Sequence, residues 1–120
     1  MIELLTNLPD NVVGIRASGH VSAADYETVL MPAVETGLAK HDRLRLLYQL
    51  GGDFTGFSPG AMWDDMKMGI AHLRAWERIA VVTDVSWVAT AARMFRFVMP
   101  CPVRVFSVEE RAKAEAWIVA

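Results

Sequence analysis

Three short runs of strand-forming residues, Arg43–Leu50, Arg78–Thr83 and Val103–Phe106, are each preceded by a stretch patterned as a helix. This alternation restricts the chain more than any other feature. Strands joined through helices lie parallel, and each crossover is right-handed. Upstream, Ile2–Leu5 and Val12–Ser18 flank Asn7-Leu8-Pro9-Asp10-Asn11, a stretch of turn formers. That pair is expected to form an antiparallel hairpin. The predicted order is ββαβαβαβα: an α/β fold with a five-stranded mixed sheet and four main helices. At 120 residues the chain is long enough for one core, so a single domain over residues 1–120 is expected.

Local signals place the helices. Ser22 and Asp25 have capping-box spacing, and Tyr26, Val29, Leu30, Ala33, Val34 and Leu38 follow at helical intervals. Pro32 lacks a backbone donor and should kink or split this helix near Met31. Helix two is predicted over about Pro59–Glu77, with Met62, Trp63, Met66, Ile70 and Leu73 as its core stripe. Helix three should follow Asp84-Val85-Ser86 and reach Val98, where Pro100 and Pro102 stop continuation. Its expected inward stripe is Trp87, Ala91, Met94 and Val98. Ser107 and Glu110 form a second capping box, opening helix four at Val108.

Composition narrows the function. The formal net charge is -2 and no basic run occurs, so nucleic acid is not an expected partner. Cys101 is the single cysteine, which excludes an intrachain disulfide and a CxxC site and fits a reducing compartment. No secretion signal and no apolar run of spanning length is read at the sequence level. A cytoplasmic protein, with peripheral membrane contact as a further option, is the expectation. The hydrophobic fraction of 53 % suggests surface to be covered, and a homodimer is the simplest way to cover it.

The stretch Gly51–Asp65 holds the candidate site. Its glycines permit unusual backbone angles, and Ser58-Pro59 resembles a helix start with a hydroxyl cap. A glycine-rich loop running into a helix N-terminus exposes amides that suit an anion. Asp53 and Asp84 should both follow strand ends, the edge where α/β sheets bind ligands. The expected ligand-binding set is therefore Asp53, Phe54, Phe57, Ser58, Gly60, Asp84 and Trp87. The plain reading of Ser58 is a structural cap, and Asp84 could cap helix three.

Other residues offer less chemistry. Asp64 and Asp65 diverge by about 100° on a helix, which argues against a carboxylate dyad. His20, His41 and His72 are far apart, so no metal site is expected. No nucleophile elbow, phosphate loop or dinucleotide fingerprint is present. Tyr48 reads as a core residue with a tethered hydroxyl. Arg93, Arg96 and Phe97 place cations beside an aromatic on helix three, a pattern that suits a membrane or partner surface.

Asp25-Tyr26, Met31-Pro32-Ala33, Phe54-Thr55-Gly56-Phe57, Ala61-Met62-Trp63-Asp64-Asp65, Arg78–Asp84, Trp87, Val103–Phe106 and Ala116-Trp117-Ile118 together resemble the SpoIIAA-like family. These are small bacterial proteins of the STAS fold, named after a sporulation anti-anti-sigma factor. The resemblance implies a mixed sheet with helices mainly on one face. Membrane association and small-ligand binding have been suggested for that family. Anti-anti-sigma factors carry an Asp-Ser-Ser-Gly-type motif where a kinase partner phosphorylates serine. Here Phe57-Ser58-Pro59-Gly60 keeps a serine and a glycine but lacks the preceding acid. A phosphate on Ser58 would sit favourably at a helix N-terminus.

The expected function is a non-catalytic module that binds a small anionic ligand or lipid, with no cofactor. The alternative is a regulatory switch that binds a protein and is phosphorylated on Ser58. A hydrolase using Asp53 is a third reading.

Overall fold

A computed structural model describes residues 1–61, 67 and 74–120. Five strands form one sheet: β1 (Ile2–Leu4), β2 (Val12–Val21), β3 (Leu44–Phe57), β4 (Trp76–Thr83) and β5 (Val103–Phe106). Their spatial order equals their sequence order. β1 pairs antiparallel with β2, and every later pair is parallel. Because each parallel crossover steps in the same direction and is right-handed, the described helices of the β2–β3 and β4–β5 crossovers gather on one face.

The first of those connections starts as α1 (Ala23–Asp25), widens into a π-helical turn (Tyr26–Leu30) and continues as α2 (Met31–Lys40). Ser22 and Asp25 make the expected capping box. Pro32 has no N–H to return to Thr28, and just before it the Met31 amide donates to the Tyr26 carbonyl, five residues back. The expected disturbance near Met31 therefore takes the form of a π turn. α3 (Ser86–Phe95) crosses from β4 to β5, and α4 (Arg111–Val119) follows a 3-10 turn (Val108–Glu110) that carries the Ser107–Glu110 box.

The crossover face buries Ile15, Tyr48, Leu50, Ile79, Val81 and Val103 under Tyr26, Leu30, Val34 and Val88. On the opposite face, Val12, Leu47, Ala80, Val82 and Phe106 pack beneath Ala114 and Ile118 of α4. Full burial of a side chain such as Ile118 contributes about 1.5–3 kcal/mol. The end of α4 is held by arginines. Arg45 Nη1 donates to the Ile118 carbonyl at 2.9 Å, and Arg78 Nη1 to that of Trp117 at 2.8 Å. The Arg78 and Arg104 guanidiniums lie 5.4 and 5.3 Å from the Trp117 ring. Cations suit this position, where the helix presents unpaired carbonyls.

Three sequence expectations need correction. The presumed loop after Leu50 is strand through Phe57, because β2 runs on to Val21 and offers it a pairing edge. Helix two does not reach Glu77, since Trp76 and Glu77 already belong to β4, where Trp76 pairs with Leu44. The stripe of α3 that faces the sheet is Val88, Ala92 and Phe95, continued by Met99, while Trp87, Met94 and Val98 are exposed. Residues Met62, Trp63, Asp64, Asp65, Met66, Ile70, His72 and Leu73 lie outside the described residues.

Candidate functional site

β3 reaches the site through two irregularities in its pairing with β2. Between Ala17 and Gly19 the partner jumps from Leu50 to Phe54, and between Gly19 and His20 it jumps from Phe54 to Gly56. Gly56 has φ 144°, a conformation that side chains rarely adopt. Strict alternation would send Phe54 and Phe57 to opposite faces. The irregularity at Gly56 brings both rings to the crossover face, with centroids 4.9 Å apart.

Trp87 completes a group of three. Its ring lies 6.1 Å from Phe54 and 5.9 Å, edge-on, from Phe57. Beneath them is a cavity of about 280 Å³. Among the described residues its floor is Leu46, Tyr48, Leu50, Ile79 and Val81 of the sheet, and its roof is Val88, Ala91, Ala92 and Phe95 of α3. Tyr26 closes one side, and its hydroxyl is 2.8 Å from that of Tyr48. No described lining residue is charged. A wider groove, about 770 Å³, opens between residues 4–10 and α2, but it holds none of the sequence candidates.

The predicted set is thus divided. Phe54, Phe57 and Trp87 pack together, and Phe57 and Trp87 line the cavity. Ser58 is a cap: its Oγ accepts from the Ala61 amide at 3.1 Å, and its own amide donates to the Val21 carbonyl at 2.8 Å. A Cβ on Gly60 would come within 3.1 Å of the Ala23 Cβ, so glycine permits this turn to approach α1. Asp53 forms an exposed ion pair with Arg16 at 3.4 Å. Asp84 accepts from the Val108 amide at 3.1 Å, tying β4 to the turn ahead of α4 rather than capping α3. Two amides at the expected helix start are therefore engaged within the protein, that of Ser58 with Val21 and that of Ala61 with Ser58.

The model of the SpoIIAA-like family matches residues 12–119. The chain belongs to the SpoIIAA-like family. No curated protein matches it. Among solved structures, it is similar to a protein of the DUF3478 family with a SpoIIAA-like fold from Shewanella loihica PV-4. The two share 24% identity with a TM-score of 0.75, covering 98% of this chain and 92% of the other. That likeness establishes the mixed five-stranded fold.

In this SpoIIAA-like domain, Arg93, Arg96 and Phe97 are exposed at the C-terminal end of α3, with the Arg96 guanidinium 5.5 Å from the Phe97 ring. Titratable groups elsewhere serve structure. The Ser22 amide holds the Asp25 carboxylate below its usual pKa, and the Ser107 amide does the same for Glu110. Burial raises the Cys101 thiol above its usual value, despite the nearby Arg43 charge. That keeps it protonated at neutral pH and weakens it as a nucleophile. Among the described residues, no cluster of three or more His, Cys, Asp or Glu could hold a metal. No helix among them is long and apolar enough to cross a membrane.

Sequence reasoning missed Tyr26 as a cavity wall and the outward apolar stripe of α3. Both stripes of that helix, 87/91/94/98 and 88/92/95/99, have the same four-three-four spacing. A bias was nonetheless visible: the stretch from Val85 to Val108 contains no acid and three arginines.

Proposed function

We propose that this STAS-type domain is a non-catalytic binding module whose ligand has a hydrocarbon body and sits in the cavity beneath α3. The supporting observation is the cavity itself, uncharged along its described lining and bordered by Phe57 and Trp87, against which Phe54 packs. Sites of this kind bind by burying apolar surface, and a few polar groups orient the ligand. The Tyr26–Tyr48 hydroxyl pair is the polar feature here. The volume suits one short alkyl chain, such as the acyl part of an anionic lipid, rather than a two-chain lipid.

A lipid surface is the favoured source of that ligand. Trp87 belongs both to the cavity mouth and to the exposed ridge of α3, where it is 50% exposed and Met94 66%. The test is displacement of a bound naphthalene-sulfonate dye by single-chain carboxylic acids of increasing length. Binding should tighten with chain length up to a limit set by the cavity, and Trp87→Ala should weaken it about tenfold. Equal displacement by all chain lengths, unaffected by Trp87→Ala, would remove the proposal.

A further inference from the structure

The parallel strands all begin at one edge of the sheet, and the described crossover helices α2 and α3 return to that edge. Most cations collect there. Lys40, Arg43 and Arg45 surround the start of β3, and Arg74 and Arg78 the start of β4. Arg93, Arg96 and Arg104 surround the start of β5. These are eight of the chain's twelve Lys and Arg, and the acids beside them among the described residues are Asp10, Asp42 and Glu77, the last paired with Arg45 at 2.6 Å. The overall charge of -2 conceals an electric dipole along the strands, with a cationic pole at this edge.

The same pole carries an apolar tip. Phe97 is 83% exposed and Val98 65%, on the turn that follows α3. Pro100 is exposed in the same connection, and Arg96 lies over the Phe97 ring. Cations around a protruding aromatic suit an anionic bilayer: the ring enters the headgroup layer while the guanidiniums meet lipid phosphates.

We infer that the cationic pole is the membrane-docking surface, with Phe97 and Val98 inserted and the strands steep to the bilayer, not with α3 lying flat along its ridge. This rests on the lipid-surface reading above and adds its geometry. Lys40 and Arg43 are decisive, because they are exposed and belong to the crossover between β2 and β3, not to α3. Each cation near an anionic surface is worth about fivefold in partitioning, so losing two amounts to about 25-fold.

The experiment is flotation with vesicles of phosphatidylcholine alone or mixed with phosphatidylglycerol, using wild type and Lys40→Gln/Arg43→Gln. An environment-sensitive label on Phe97→Cys or Thr90→Cys reports insertion, since buried Cys101 reacts slowly. The inference expects binding only with phosphatidylglycerol, about 25-fold weaker in the double variant, and a blue shift at position 97 but not at 90. Unchanged binding of the double variant, with shifts at both positions, would overturn the upright geometry and leave lipid binding in place. Absence of flotation would overturn both, as would retention on heparin without flotation. Dye displacement by soluble acids would still report separately on the cavity.

Discussion

Ala92→Leu tests the cavity directly. Ala92 lies on the inward stripe of α3 between Val88 and Phe95 and forms part of the cavity roof. Leucine adds three carbons, and each buried methylene contributes about 0.8 kcal/mol. Helix propensity changes little, because alanine and leucine both rank high. If the carbons enter the void of about 280 Å³, the variant gains about 2 kcal/mol. For a domain of this size that raises Tm by roughly 5–10 °C. Were α3 instead packed tightly on the sheet, the same substitution would cost about 1–3 kcal/mol through strain. The two cases differ in sign. Urea unfolding followed by circular dichroism gives the stability change, and dye titration gives the remaining binding. The expected result is a more stable protein that binds the dye at least tenfold more weakly. A destabilised variant with dye binding intact would refute the reasoning.

Gly56→Ala places a side chain at φ 144° with no atom within 4 Å of its Cβ, so its cost of about 1–3 kcal/mol is purely conformational. Urea unfolding measures that loss, and dye binding should fall with it as Phe57 turns from the mouth. Arg78→Met keeps the stem but removes the hydrogen bond to the Trp117 carbonyl and the guanidinium over its ring. A loss of about 1–2 kcal/mol is expected, and urea unfolding unchanged from wild type would contradict the clamp on α4. The Asp25 and Glu110 carboxylates have lowered pKa values in the folded chain. Their contribution is complete above the ordinary carboxylate range and disappears as pH falls through about 4 and below. Asp25→Asn/Glu110→Gln should therefore flatten the acid limb of stability against pH, and an unaltered limb would argue against the boxes as its source. Cys101 should alkylate slowly in the folded protein at neutral pH and quickly in urea, with equal rates contradicting its burial.

The sequence disclosed strands wherever branched apolar residues ran together. Val103–Phe106 keeps its predicted bounds, and the hairpin and parallel crossovers follow from turn formers and alternation. The extension of β3 was hidden because glycines at 51, 52 and 56 read as loop formers. Only the length of β2, a tertiary fact, makes them strand. The orientation of α3 was hidden because two stripes of equal spacing compete, and the sheet decides between them. The aromatic group beside the cavity was legible through Phe54, Phe57 and Trp87, of which the last two line it. The chemistry of the site was not, because the Tyr26–Tyr48 pairing spans two elements and carries no local signature.

In this sheet every strand lies beside the one made just before it. No later segment has to be threaded between two that are already paired. Loop closure costs rise slowly with length, and here each closure spans only one hairpin or one crossover. A chain emerging from the ribosome can therefore lay its strands down one after another, and a truncation after β4 removes an edge instead of opening the middle.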